Sequence, residues 1–577
     1  MGRFPSGQRG QTVNLLQIAS VVRIHLCPLS IARQRLILPQ IMGERRNRAG
    51  VWLQVAILFF FKNYFLGEGE DEMNAVQTTI AFDVSDGRVI KTRNDLCFAD
   101  ESGLGRMKES NVVGIYPAFR YQEMTGYGCA MTETACYLLA KMTPEKRREA
   151  LSCWFGADGV NARYVRIPID SCDYSLEEYQ AVADPIADPM LETFSIARDR
   201  KYILPVMKEV KELAGENLSV LLSPWSPPAA WKTPPELSEN DKAVYGNMTA
   251  DVDFSKPGRC FGGRLKPEYY GSWARYLVKF ILAYLEEGIP VTMLSVQNEA
   301  AAATSWDSCV WSGEQEKTFL RDFLYPELKK AGLTERVGLF IWDHNKERMI
   351  EHVEEMLDED TMGMIRGFAY HWYSGDHFTA LSMLHDKYPD KTLLHTESCG
   401  LHVPGKTAAY ELPREILEER KGELPPDLSA SASKTPLEVD FADAVAYAHD
   451  MIGDLNHGMN GWIDWNMIVD QNGGPRHVPG GFAAPLVATE DGCFVRTVSY
   501  HYICQIAETI RPGAVRIGCS VFGKAVEVVA AENPDKSIGI VLLHDGAEEI
   551  TATIRMEGYL CDVTLPAKTL CTVIIGR

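Results

Sequence analysis

The chain has 577 residues, 58 Lys and Arg against 78 Asp and Glu, and a net charge of −20. Such a balance excludes a protein that holds nucleic acid by neutralising phosphates, and the length exceeds what one simple core needs. Hydrophobic content of 46% and charged content of 24% are those of a globular protein. The 14 Cys form no CxxC pair, and Cys136, Cys153 and Cys504 sit singly in apolar runs, which suits a reducing, cytoplasmic setting.

The first 72 residues differ from the rest. Residues 1–50 hold eight Arg, no Lys, one Glu and no Asp. Gly67 to Glu72 is a run whose codons are mostly purines, as in a bacterial ribosome-binding site, and Met73 follows at once. The expectation is that residues 1–72 are a non-native extension and that Met73 is the natural start. Val51 to Phe61 is apolar but too short for a comfortable span, so no stable membrane insertion is expected.

Residues 73–120 alternate apolar and polar side chains, at Thr78–Val84 and Val112–Arg120, and predict strands of a β-domain. From residue 121 to 495 short apolar strands alternate with stretches of helical period, the pattern of parallel β/α units. Eight strands are predicted: Gly126–Met131, Tyr164–Ile169, Ser219–Trp225, Thr292–Glu299, Val337–Asp343, Gly367–Tyr373, Thr392–Ser398 and Gly461–Asn466. Helices are predicted over Ala135–Leu139, Trp273–Glu287, Glu314–Lys330 and Phe441–His457. Eight such units predict a (β/α)8 barrel. Residues 496–577 give one helix, Ser499–Thr509, and then strands of period two at Val526–Ala530, Ser537–Leu543, Thr551–Arg555 and Thr572–Ile575. Strands from both ends of the chain are expected to form one side β-sandwich.

Barrel active sites lie at the carboxyl ends of the strands. Those ends are polar and aromatic: Arg166 and Asp173, Trp225, Asn298 and Glu299, Asp343, His371-Trp372-Tyr373, Glu397, and Trp465-Asn466. Two carboxylates ending two buried strands are the equipment of glycoside hydrolysis, and several Trp among Asp and Asn suit a sugar. No spacing calls for a metal or a cofactor.

The ordered set YVRIPIDSCDYS (164–175), LLSPWSPPAAWKT (221–233), SVQNEA (295–300), FAYHWY (368–373), LLHTESCG (393–400) and GWIDWN…GGP (461–475) resembles glycoside hydrolase family 30. The resemblance runs from about Val112 to Arg577. It implies Glu299 as acid/base and Glu397 as nucleophile of a retaining double displacement. It also implies that Asn298, Asp173, Trp225, Trp465, His371 and Tyr373 bind the sugar, with Arg166 and Tyr373 keeping Glu397 ionised. The leading expectation is an enzyme cleaving terminal β-glycosidic bonds, β-glucosidase or glucosylceramidase-like. An endo-β-1,6-glucanase, a β-fucosidase or a β-xylosidase stays open, as does a catalytically dead carbohydrate-binding barrel.

The chain departs from the family where Ala300 follows the acid/base in place of Pro. It departs again where Pro479-Gly480-Gly481 stands in the loop after the eighth strand. A long connection, residues 401–440, is expected to cover the leaving-group side.

Overall fold

The computed structural model describes residues 73–83, 88–100, 111–248, 252–400, 436–522 and 526–576. The expectations for residues 1–72 and for most of the 401–440 connection lie outside these.

Four strands come first: β1 (Asn74–Asp83), β2 (Arg88–Cys97), β3 (Ala99–Asp100) and β4 (Val112–Met124). Eight parallel strands then close into a barrel: β5 (Gly126–Ala130), β6 (Tyr164–Ile169), β7 (Ser219–Pro224), β8 (Val291–Ser295), β9 (Gly338–Asn345), β10 (Ile365–His371), β11 (Thr392–Glu397) and β12 (Gly461–Asn466). Each is nearly continuously buried, which is why apolar runs rather than alternation marked them in the sequence. One layer inside the barrel takes a single residue from each of six strands: Leu221, Met293, Phe340, Ala369, Leu394 and Ile463. On β5 that layer has Gly128, where a Cβ would stand 2.2 Å from the carbonyl oxygen of Tyr164. Only glycine lets these strands approach so closely.

A small sheet follows, β13 (Ile468–Asp470), β14 (Leu486–Ala488) and β15 (Phe494–Arg496). The chain ends in β16 (Ala514–Val521), β17 (Glu527–Glu532), β18 (Ile538–His544), β19 (Ile550–Met556), β20 (Tyr559–Leu565) and β21 (Thr569–Ile575). These join β1–β4 in one ten-stranded sheet, ordered β2-β1-β21-β18-β17-β16-β4-β19-β20-β3. The amino-terminal β1 pairs antiparallel with the last strand, Ala75 opposite Ile575, so both ends of the described chain build the side domain.

Along β18 the side chains divide by parity. Ile538, Ile540 and Leu542 enter the core of the sheet, whereas Val541 and Leu543 join the core of the barrel. A strand alternates its faces, so β18 seals two cores at once. The side domain is therefore bonded to the barrel by apolar packing, with Tyr127 Oη donating to the Ile510 carbonyl at 2.7 Å as a polar tie.

The predicted helix Glu314–Lys330 is broken. It runs as Gly313–Phe319, a π-helical segment at Leu320–Leu324, and Tyr325–Lys330. Pro326 lacks the N–H that a continuous α-helix needs there. The predictions also omitted β2, β3, β13–β16 and β20.

Candidate active site

The carboxyl ends of the barrel strands surround a cavity of about 610 Å³, lined by Glu299, Glu397, Asp173, Trp225 and Trp465 among others. Two chain-remote acids thus share one opening. Glu299 is 6% exposed and Glu397 7%.

Beneath them lies Arg166, from β6, with no exposed surface. Its Nη1 donates to Glu397 Oε2. Its Nη2 donates to Asn298 Oδ1 at 2.6 Å and to Asp343 Oδ2 at 2.9 Å. Trp225 and Trp465 stack with centroids 5.0 Å apart, and the guanidinium sits 4.7 Å from the Trp225 ring. Because Asn298 Oδ1 accepts from Arg166, its Nδ2 donor is the end turned away from the guanidinium.

The two acids meet different neighbours. Glu397 also accepts from Tyr373 Oη at 3.1 Å. Glu299 faces imidazoles: His344 Nδ1 at 3.6 Å and His371 Nδ1 at 3.5 Å. The loop ends are pinned by backbone bonds, Glu299 N to the Asp343 carbonyl at 2.8 Å and Asn298 N to the Pro224 carbonyl at 2.9 Å. Glu299 (φ 49°), Trp342 (φ 76°) and Asp343 (φ 47°) have left-handed backbones at these strand ends.

His371, expected among the sugar-contacting residues, is fully buried behind the carboxylates instead. Its Nε2 lies 3.1 Å from Asp343 Oδ1 and 3.9 Å from Glu397 Oε2, while its Nδ1 faces Glu299. One ring therefore touches all three acids. His371, Arg166 and Asn298 stand behind the lining, whereas Asp173, Trp225, Tyr373 and Trp465 belong to it.

The electrostatics follow from this packing. Burial opposes a charge on His371, yet Glu397, Asp343 and Glu299 together push its pKa up to about 9. Burial raises Asp343, but Arg166 and His371 hold it far below the carboxylate range. Burial likewise raises Glu299 and Glu397. With His371 charged, His371, His344 and Arg166 bring Glu299 below its ordinary value, and Glu397 stays above its own, raised further by Glu299. Arg166 and His371 are two cations against three acids, so the cluster is neutral when one of the two glutamates holds a proton.

Beyond the carboxyl end of β6, Arg476 Nη2 donates to Asp173 Oδ2 at 2.8 Å, and its guanidinium lies over Tyr174 and Phe482. Burial pushes Asp173 up to about 6 against this cation. Phe482, just past Pro479-Gly480-Gly481, reaches the cavity.

Several lining residues had no forecast role: His344, Asn345, Trp306, Asp443, His449 and Asp450. Only the last three carry a signal, a shared face of the predicted helix Phe441–His457. Asp343 was visible as a strand-end acid, but nothing in the sequence told its partners.

Comparison with known proteins agrees with this geometry. The glycosyl hydrolase family 30 TIM-barrel domain matches residues 124–407 and 430–506, and the family 30 β-sandwich domain matches residues 513–573. The chain is 26% identical over 470 residues to putative glucosylceramidase 4 of Caenorhabditis elegans, covering 79% of this chain and 81% of that one. It is 24% identical over 452 residues to the lysosomal acid glucosylceramidase of Mus musculus, covering 76% and 78%. The crystal structure of SrfJ from Salmonella typhimurium superposes with a TM-score of 0.73 at 27% identity, covering 88% of this chain and 100% of that one. With barrel and side domain both matched and two acids set at one barrel mouth, the chain belongs to glycosyl hydrolase family 30 and is a glycoside hydrolase.

Proposed function

We propose that the enzyme removes a terminal β-linked sugar with retention, Glu397 acting as nucleophile and Glu299 as acid and then base. The observation that carries this reading is the unequal company of the two acids. Arg166 and Tyr373 donate directly to Glu397, whereas Glu299 has, among the described residues, only imidazoles at 3.5 and 3.6 Å. Direct donation to a carboxylate favours its charged form, so the one proton the pair shares rests on Glu299. The contacts that lower Glu299 are weaker than these, since His371 Nδ1 and His344 Nδ1 stand 3.5 and 3.6 Å from it and make no aligned hydrogen bond among the described residues.

Glu397 then attacks the anomeric carbon while Glu299 protonates the departing oxygen. The ester that forms removes the Glu397 charge, and Glu299, now ionised, takes the proton of the incoming water. Asn298, held by Arg166, offers its Nδ2 donor to a ring hydroxyl. Terminal action is supported by the Asp173–Arg476 pair packed on Tyr174 and Phe482, a buried block where a longer chain would have to continue. A glucoside is the first substrate to try, given the glucosylceramidases among the relatives. The eight buried free thiols among the described residues, from Cys129 to Cys571, support a reducing, cytoplasmic location.

A 2-deoxy-2-fluoroglycosyl fluoride traps the ester of a retaining enzyme. Peptide mapping should find the label on Glu397, and proton NMR should show the β-anomer released first. A label on Glu299, or an inverted first product, would refute the assignment. Cleavage of β-1,6-glucan at internal bonds would replace terminal action by endo action.

A further inference from the structure

The strand that ends in Glu397 breaks its own alternation. On β11, Leu394 points into the barrel, in the layer with Phe340 and Ile463. His395 points outward, against the rings of Tyr370 and Trp462. Thr396 points inward again, its Oγ1 donating to Asp343 Oδ1 at 2.6 Å. Regular alternation would then turn Glu397 outward, away from Arg166 and Tyr373.

It does not, because one residue is extra. His395 stands opposite Tyr370 of β10 and Glu397 opposite His371, so the register skips Thr396 and the strand bulges there. The bulge lets both side chains reach the cluster of acids and cations, Thr396 through Asp343 and Glu397 through Arg166. On the other side, pairing with β12 stops at His395 opposite Trp462. The residue that attacks the sugar therefore sits on a turned backbone beyond the reach of the β12 ladder.

An imidazole holds that turn. His395 Nε2 lies 2.9 Å from the Glu397 carbonyl oxygen. A carbonyl oxygen only accepts, so Nε2 carries a proton and donates it. The other ring nitrogen, Nδ1, lies 2.8 Å from Asp454 Oδ2. Asp454 is fixed in turn: Tyr370 Oη donates to its Oδ2 at 3.0 Å, and Lys346 Nζ to its Oδ1 at 3.0 Å. His395, Asp454, Lys346 and Tyr370 are all fully buried, so these bonds act at low dielectric. Asp454 belongs to the helix Pro436–Asn456, and the set thus joins that helix to the end of β11.

We propose that His395 is a positioning residue for the nucleophile: oriented by Asp454, it clamps the Glu397 peptide and holds the bulge that aims the carboxylate. The proposal rests on the assignment of Glu397 made above. His395 is buried outside the barrel and acts only through the backbone of Glu397. Position matters in both steps, since Glu397 first meets the anomeric carbon and later departs from it along the same line. A displacement of about 1 Å can cost about 10²-fold in rate, whatever the leaving group.

The test uses the full chain and separates the two ends of the ring. The amide of His395→Asn reaches about as far as Nδ1, so it keeps a donor for Asp454 and loses the one for the Glu397 carbonyl. The amide of His395→Gln reaches about as far as Nε2 and keeps the donor for Glu397. His395→Asn should lower kcat and kcat/KM together by about 10²-fold on a dinitrophenyl and an alkyl glycoside alike, with KM unchanged. His395→Gln should restore most of that loss, whereas a merely structural role would slow both variants equally. A neutron structure of the deuterated wild type, which needs no variant to fold, should place a deuteron on His395 Nε2 in line with the Glu397 carbonyl. Wild-type kcat in His395→Asn, equal losses in the two variants, a loss confined to the alkyl glycoside, or no deuteron on Nε2 overturns the proposal. Dinitrophenolate release that survives Glu397→Gln overturns the assignment of the nucleophile instead.

Discussion

Glu299→Gln isolates the proton from the shape of its carrier. The amide is isosteric, and the backbone that aims it, φ 49° with its N–H on the Asp343 carbonyl at 2.8 Å, is untouched. General acid catalysis contributes about 10² to 10⁴-fold. Glu299 is only 6% exposed, so bulk water has little access to lend a proton in its place. The upper part of that range, about 10³ to 10⁴-fold in kcat/KM, is therefore expected for alkyl and sugar leaving groups, which depart poorly as anions. A dinitrophenyl glycoside needs no proton, and its kcat/KM should change far less.

The second step tells the same story from the other side. Without a base, water attacks the ester slowly, so dinitrophenolate should appear as a burst equal to the enzyme present, followed by slow turnover with a low KM. Azide needs no base and should restore turnover in Glu299→Ala, giving the β-glycosyl azide. The alkaline limb of the pH profile, assigned to loss of the Glu299 proton, should vanish for the dinitrophenyl substrate. Equal slowing of good and poor leaving groups would sink the acid assignment, and so would an α-configured azide product.

Arg166→Met leaves Asp343 and Glu397 buried without their cation, and breaking such a pair costs about 3–5 kcal/mol; urea unfolding showing no loss would contradict the central position given to this guanidinium. Tyr373→Phe removes a donor to ionised Glu397 while keeping the ring, so the carboxylate is held less firmly and the acidic limb of kcat/KM should move to higher pH with the alkaline limb in place; the reverse pattern would exchange the two roles. Asp464 concerns stability. Burial pushes its pKa from 3.8 up to about 8, so the folded protein keeps a proton that the unfolded chain releases. Its contribution is complete below about pH 4 and is lost as the pH rises toward about 8. Asp464→Asn keeps the acceptor for Tyr447 and Ser398 but does not titrate, so melting curves should show the variant gaining on the wild type across that window. A constant difference at every pH would show that Asp464 ionises normally.

The barrel was legible because parallel strands buried on both faces are unbroken apolar runs, and because a polar residue ending such a run is conspicuous. Thr392–Glu397 and Gly461–Asn466 show both features. β2 was not legible, since Arg88–Cys97 (RVIKTRNDLC) carries charge on both faces at the sheet edge and has no alternation to detect. Glu299 and Glu397 could be named from their strand ends, but their unequal surroundings could not. Those depend on Arg166, Asp343, His371 and Tyr373 converging from three strands or their loops, a fact of three-dimensional register alone. Register likewise sets where His371 lies, buried behind the lining. The last residue of β10 points down into the barrel, whereas Tyr373, two residues on and beyond the strand, reaches the cavity.

The acids and cations at the barrel mouth make sense only as a set. A buried carboxylate is expensive, and three within reach of one imidazole are more so, yet Arg166 with His371 neutralises two of them. The third charge is the one that the shared proton removes, and that proton is what the reaction consumes and returns. Left-handed backbones at Glu299, Trp342 and Asp343 point the same way, since each costs about 1–3 kcal/mol. A stable barrel has no use for these costs at the end where its strands stop. Chemistry at that end does: strain and desolvation fix two acids in unequal settings, and the inequality makes one a nucleophile and the other a proton donor.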